Sequence, residues 1–142
     1  MVLRSTVLAA VALAALASCG QDATSDDTAA DAPPPAGTSL TIVVTPAEDA
    51  ETSTYELTCD PAGGDHPQPE QACDAIAAAG AGVFEPVPAD QMCSQQYGGP
   101  QVATITGTYD GEDVDATFNR ENGCEIDRWE KLGTTVFNVP ML

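Results

Sequence analysis

The chain has 142 residues, and its 22 acidic side chains outnumber four basic ones, giving a formal net charge of −18. So much negative charge repels phosphate groups, which excludes nucleic acids and anionic lipid headgroups as partners of the soluble part. Solubility outside the cell is enough to explain this charge. A single histidine and five cysteines leave few side chains for catalysis or metal binding.

Residues 1–18 have the features of an export signal. Their apolar run, residues 7–17, is shorter than the about 20 residues of a membrane-spanning helix. The run leads into a Leu-Ala-Ser-Cys motif that ends at Cys19 and resembles the bacterial lipoprotein box. The resemblance implies a diacylglycerol on Cys19, cleavage before it, and an extracytoplasmic protein that is lipid-anchored to the cell membrane or secreted. The alternative is an ordinary signal peptide cut near Ala17.

Composition divides the rest of the chain into two segments. Residues 19–37 are rich in Ala, Asp, Thr and Pro and carry no large apolar side chain. They cannot bury enough apolar surface to offset the entropy of ordering, which predicts a disordered tether. Residues 38–142 are long enough for one domain with one small core.

The four cysteines of that domain predict two structural disulfides. Cys59, Cys73, Cys93 and Cys124 include no C-x-x-C pair, which argues against a redox or zinc site. Four cysteines allow three pairings, and their spacing alone does not choose among them.

Periodicity predicts an α+β fold with about five antiparallel strands and one or two helices on one face. In chain order, the predicted elements are a strand at 40–45, its hairpin partner at 52–58, a helix from Pro69 to Gly80, a strand at 102–109, a turn at Asp110-Gly111, a strand at 113–118, a helical turn at 127–132 and a last strand at 134–137.

No enzyme, cofactor or metal is expected from the polar residues. His66 lies between Asp65 and Pro67 in a Gly- and Pro-rich loop and is interpreted as a solvated loop residue. The acidic run 110–115 could offer oxygens to calcium, but its spacing differs from that of a helix-loop-helix site. A solvated acidic hairpin is the better interpretation.

The segment from Met92 to Pro100 is the candidate binding site. It is polar, lies between the predicted helix and a β-hairpin, and has Cys93 near its start. A loop held by a disulfide is ordered before it binds, which lowers the entropic cost of association. The alternative is a plain connection whose cysteine only stabilises the fold.

An ordered set of short motifs extends over nearly all of residues 38–137. They are Leu57-Thr58-Cys59, His66-Pro67, Ala72-Cys73, Met92-Cys93, Tyr97, Pro100, Thr104, Gly107, Gly111, Asn122, Cys124-Glu125 and Val136-Phe137. In order and spacing the set resembles the Streptomyces subtilisin inhibitor family of serine-protease inhibitors. The resemblance implies the disulfides Cys59–Cys73 and Cys93–Cys124, a five-stranded antiparallel sheet with two short helices, and a homodimer packed through sheet faces.

The resemblance also implies roles for the loop residues. Gln95 would enter the primary specificity pocket of the protease, with Gln95–Gln96 as the scissile bond. The remaining protease-contact residues would be Met92, Cys93, Ser94, Tyr97 and Gly98. Cys124 would support the loop through its disulfide, and Asn122 would hydrogen-bond the loop from behind.

The loop departs from the family pattern at three places. Ser94 stands where proline is usual, Gly98-Gly99 adds one residue, and Gln95 is neither basic nor large and apolar. A subtilisin-like target or a dedicated endogenous protease is expected, with weak or no trypsin inhibition. The alternative function is a surface lipoprotein binding module that keeps the inhibitor fold but has a degenerate loop.

Overall fold

The structure, a computed structural model, describes residues 37–139. The predicted signal peptide, lipidation site at Cys19 and all but the last residue of the predicted tether lie outside these residues. Among residues 37–139, no helix is both long and apolar enough to cross a membrane.

One antiparallel sheet of five strands forms the centre of the domain. The strands are β1 (Thr38–Thr45), β2 (Ser53–Cys59), β3 (Gly63–Gly64), β4 (Val102–Tyr109) and β5 (Glu112–Phe118), in the order β3-β2-β1-β4-β5. Alternate residues of β1, namely Leu40, Ile42 and Val44, are fully buried. Burial of every second apolar residue is the pattern of a strand with one covered face. The four longer strands confirm those predicted from the sequence.

Two helices cover the buried face of the sheet. Helix α1 (Pro69–Ala79) begins with proline and is followed by Gly80, as predicted. It buries Ala72 and Ile76, which are four residues apart on one face. A short 3₁₀ turn at Ala81–Phe84 then leads into the irregular segment that precedes β4.

The C-terminal region corrects one prediction. Residues 134–137 are helical rather than a strand, and they belong to helix α2 (Gly123–Phe137), which is kinked at Gly133 (φ 55°). The fifth strand is instead the two-residue β3. The β-branched residues of this stretch favour a strand locally, but their packing as a helix places Val136 and Phe137 in the core beside Trp129.

His66 is buried, so its interpretation as a solvated loop residue is wrong. Only 4% of its surface is exposed. Its Nδ1 accepts from the backbone N–H of Gln68 at 3.1 Å, so Nε2 carries the proton and donates to the carbonyl of Val136 at 2.9 Å. The ring therefore joins the segment after β3 to the end of α2.

Candidate functional site

An exposed loop, residues 92–98, lies in the irregular segment between the 3₁₀ turn and β4. The side chains of Met92 and Tyr97 are 96% and 66% exposed, although both are large and apolar in part. Ser94, Gln95 and Gln96 are exposed as well. Such exposure of consecutive residues leaves this backbone open to a binding partner.

The entry side of the exposed loop is attached to the start of α2. The disulfide Cys93–Cys124 brings the two Cα atoms to 5.4 Å, and the second disulfide, Cys59–Cys73, joins β2 to α1. Both pairings implied by the family resemblance are thereby confirmed. Next to the first disulfide, the backbone N–H of Gly123 donates to the carbonyl of Ser94 at 3.0 Å.

The exit side is attached to the segment between β5 and α2. The N–H of Gly98 donates to the carbonyl of Arg120 at 2.7 Å. A Cβ atom at Gly98 would lie 2.8 Å from Cγ1 of Ile126 and 3.2 Å from Cβ of Arg120. Gly98 is thus packed closely against Ile126 and Arg120. The Gly98-Gly99 pair, which adds one residue to the family pattern, therefore places the loop against the body of the domain at this point.

Three residues lie between these attachments. In the described part of the chain, no hydrogen bond reaches Gln95, Gln96 or Tyr97. Their backbone groups are therefore free to pair with an extended strand of another protein. The predicted scissile bond, Gln95–Gln96, lies inside this free stretch.

Asn122 supports the loop less directly than expected. Its Oδ1 accepts from the N–H of Glu125 at 3.1 Å and so caps the N-terminus of α2. The hydrogen bond to the loop comes from the adjacent backbone of Gly123. A Cβ there would meet Oγ of Ser94, so a side chain at this position would force the Ser94 hydroxyl to rotate away. The Asn-Gly-Cys sequence was the available signal for this role, and sequence reasoning missed Gly123.

Arg128 is a second residue that sequence reasoning missed. It is 7% exposed and donates to the carbonyls of Val83 (2.8 Å), Thr117 (2.7 Å) and Phe84 (3.3 Å). It also forms an ion pair with Glu125 at 3.3 Å. Arg128 therefore holds the turn before the irregular segment against the helix that carries Cys124. In the sequence, Arg128 is one charged residue of an amphipathic segment, and nothing in that pattern indicates that its side chain is buried.

The described residues offer little for chemistry. Among residues 37–139 no group of three or more His, Cys, Asp or Glu side chains is arranged to hold a metal ion. Asp113 and Asp115 of the acidic hairpin are exposed side chains on β5. The exposed loop instead offers a binding partner its exposed side chains and the free backbone groups of Gln95, Gln96 and Tyr97.

Residues 36–122 match the sequence model of the subtilisin inhibitor-like family. The chain belongs to this family. It is 35% identical over 77 residues to subtilisin inhibitor-like protein 1 of Streptomyces cacaoi, which covers 51% of this chain and 68% of that relative. It is 35% identical over 120 residues to the subtilase-type protease inhibitor of Streptomyces fradiae, covering 80% and 81%. For kexstatin-1 of Streptomyces platensis, the identity is 34% over 134 residues, covering 84% and 91%.

Among solved structures, this subtilisin inhibitor-like chain resembles Streptomyces caespitosus sermetstatin, crystallised in complex with Bacillus licheniformis subtilisin. The TM-score is 0.45 at 20% identity, over 73% of this chain and 99% of that one. A likeness at this level adds nothing to the family assignment, which follows from the sequence matches. Subtilisin inhibitor-like proteins are protease inhibitors rather than enzymes, so the resemblance and the non-enzymatic function inferred from the sequence are both confirmed.

Proposed function

We propose that the protein inhibits a subtilisin-like serine protease by occupying its active site as a substrate would, with Gln95–Gln96 as the reactive bond. One observation carries the proposal. The bond is exposed between a disulfide-linked attachment at Cys93 and a hydrogen-bonded attachment at Gly98. The family membership supplies the class of target.

The two attachments explain how a substrate-like loop inhibits. An extended loop pairs with the enzyme's backbone, and its prior order lowers the entropic cost of binding. If the bond is cut, Cys93 and Gly98 still hold the two new ends close together. Religation at high effective concentration then competes with hydrolysis.

The loop side chains divide the contacts with the protease. Gln95 enters the primary specificity pocket of the protease. In a trypsin-like protease, the uncharged amide of Gln95 would gain nothing from the aspartate at the base of that pocket. Met92, which is 96% exposed, fills an apolar subsite on the entry side. Ser94 and Tyr97 contact the enzyme on either side of the reactive bond.

Titration of subtilisin with the purified protein tests the proposal. We expect stoichiometric loss of protease activity, which Gln95→Asp abolishes because it places a carboxylate in the pocket. Gln71→Asp is the matched control, since Gln71 is exposed on α1 away from the loop and its replacement should leave inhibition unchanged. Cleavage of the loop without inhibition would reject the proposal and favour a binding module with a degenerate loop.

Gain of a new target locates the contact residue independently. Gln95→Lys should create trypsin inhibition, because lysine pairs with the aspartate of the trypsin pocket. The same change at Gln96 should not. Equal gains from both variants would contradict the assignment of the reactive bond.

We further propose that the protein is extracytoplasmic and is anchored to the cell membrane by acylation of Cys19. The two disulfides support an oxidising compartment. Mass spectrometry of the mature N-terminus should find a chain that begins at a diacylglyceryl-modified Cys19. An unmodified Cys19 thiol, or cleavage near Ala17, would reject the anchor.

A further inference from the structure

The pair Asn122-Gly123 is the only Asn-Gly sequence in the chain. Glycine has no side chain to shield its backbone nitrogen, so this nitrogen can reach the side-chain carbonyl carbon of the preceding asparagine. The other two asparagines, Asn119 and Asn138, are followed by residues whose side chains hinder this approach. Among the asparagines, Asn122 is therefore the one whose own backbone most favours its deamidation.

Deamidation at this pair needs water and no other reactant. The backbone nitrogen of Gly123 loses its proton and attacks Cγ of Asn122, the bond from Cγ to Nδ2 breaks, and Nδ2 leaves with a proton as ammonia. The product is a succinimide ring. Water then opens the ring at one of its two carbonyls and leaves either aspartate or isoaspartate, in which the main chain passes through Cβ and Cγ.

In the folded protein both reacting groups are held by hydrogen bonds. The N–H of Gly123 donates to the carbonyl of Ser94 at 3.0 Å. Oδ1 of Asn122 accepts from the N–H of Glu125 at 3.1 Å, and the backbone of Asn122 is extended, with ψ 171°. Ring closure requires rotation about ψ and about the Cα–Cβ bond of Asn122, so both hydrogen bonds have to break first.

The disulfide Cys93–Cys124 holds the same two segments together. Cys93 immediately precedes Ser94, and Cys124 immediately follows Gly123. The Cα atoms of the two cysteines are 5.4 Å apart. While this disulfide is intact, the carbonyl of Ser94 stays close to the N–H of Gly123, so their hydrogen bond re-forms whenever it opens.

We propose that Asn122 is a deamidation site that the Cys93–Cys124 disulfide keeps closed. A dithiol reductant opens it, because the disulfide becomes two thiols, the dithiol becomes a cyclic disulfide, and the N–H of Gly123 is released from Ser94. An aspartate product still caps α2, since aspartate and asparagine are equally good N-caps. An isoaspartate product adds a methylene group to the main chain before Gly123 and displaces its N–H from Ser94. Reoxidation does not reverse that change, and its consequence for inhibition rests on the proposed function.

Peptide mass spectrometry measures deamidation at this site without any measurement of inhibition. Trypsin cuts the denatured chain after Arg120 and Arg128 and releases residues 121–128, in which Asn122 carries the only side-chain amide. At mildly alkaline pH, the native protein should deamidate at least about tenfold more slowly than the reduced protein in urea, because it has to open locally first. Equal rates would overturn the proposal.

Removal of each disulfide shows which one closes the site. Cys93→Ser with Cys124→Ser should raise the deamidation rate of the native protein about tenfold, whereas Cys59→Ser with Cys73→Ser should leave it unchanged. Circular dichroism gives a temperature at which both variants are folded, so that global unfolding contributes to neither rate. Equal acceleration by the two pairs, or none by the first, would reject the role of this disulfide.

Hydrogen exchange of the native protein provides a measurement that needs no variant. As a dithiol is added, exchange at the Gly123 amide and deamidation of Asn122 should rise together, while the amide of Ile105 at the centre of the sheet stays protected. Deamidation that rises only when Ile105 also exchanges would refute local opening. If these results hold but the protein fails to inhibit subtilisin, the deamidation site stands and the proposed function falls.

Discussion

Two glycines allow the exposed loop to lie against the helix that supports it. At Gly98 a Cβ would approach Ile126, and at Gly123 it would approach Ser94. Each glycine carries a backbone N–H that is used in an attachment of the loop. At the residue scale, the absence of a side chain leaves room for Ile126 beside Gly98 and for the Ser94 hydroxyl beside Gly123.

Gly98→Ala should weaken inhibition about tenfold, or about 1.4 kcal/mol. The added methyl forces Ile126 aside, and overpacking of this kind costs about 1–3 kcal/mol. The inhibition constant for subtilisin measures the effect. Gly82→Ala is the control, because a Cβ at Gly82 would meet nothing within 4 Å. Equal effects of the two variants would contradict the close packing inferred at Gly98.

His66→Phe should lower the free energy of unfolding by about 2 kcal/mol, because Gln68 and Val136 each lose a buried hydrogen-bond partner. Urea unfolding measures the loss. Inhibition should be unchanged wherever the variant is folded, since the ring lies between β3 and α2 rather than at the loop. A variant as stable as the native protein would refute this structural role.

At the element scale, helix α2 supports both the entry side of the exposed loop and the 3₁₀ turn that precedes the irregular segment. Its first turn holds the disulfide and the hydrogen bond of the entry side, and its next turn contributes Arg128. The disulfide Cys93–Cys124 therefore supports the exposed loop as well as the fold, whereas Cys59–Cys73 joins β2 to α1 and supports the fold alone.

Removal of each disulfide should separate these consequences. Cys93→Ser with Cys124→Ser should turn the inhibitor into a substrate that is cut at Gln95–Gln96. Cys59→Ser with Cys73→Ser should leave inhibition intact below its melting temperature. In the chain-entropy model, each removal costs about 3–4 kcal/mol. Recovery of protease activity over time gives the readout, and similar recovery with both variants would contradict the assignment.

Arg128→Met should destabilise the protein by about 3 kcal/mol, because one buried and two part-buried carbonyls lose their donor. Lys131→Met removes a charge from the exposed side of the same helix and should change stability by no more than about 0.5 kcal/mol. Denaturant unfolding of the two variants makes the comparison. Equal losses would show that charge, rather than the hydrogen bonds of Arg128, accounts for the effect.

At the scale of the whole molecule, one face of the sheet is not covered by any helix of residues 37–139. Val43 lies on this face at the centre of the sheet, paired with Thr54 of β2 and Thr104 of β4. We propose that this open face carries the homodimer that the family resemblance implies. The threonines around Val43 are β-branched and form a surface on which a second sheet can pack.

Sedimentation equilibrium tests the dimer. The native protein should sediment as a dimer, and Val43→Glu should shift it to a monomer by burying an unpaired charge in the interface. Ala78→Glu adds the same charge on exposed α1 and should leave the dimer intact. A native protein that remains monomeric would reject the proposal.

Strong local signals made much of the fold predictable. The alternation of Leu40, Ile42 and Val44, the turn at Asp110-Gly111 and the proline and glycine that bound α1 all act over a few residues. The prediction failed at residues 134–137, where local β propensity competes with burial beside Trp129. The loop residues were named from the family resemblance, and their inhibitory roles stay predictions.

The sequence by itself determined the class of fold, the four long strands, helix α1 and the position of the exposed loop, because periodicity and turn residues act locally. Only the tertiary structure decided how that loop is held. The carbonyl of Arg120, the backbone of Gly123 and the buried side chain of Arg128 are far in sequence from the residues that they contact. Contacts between distant segments depend on packing of the whole domain, which no local pattern encodes.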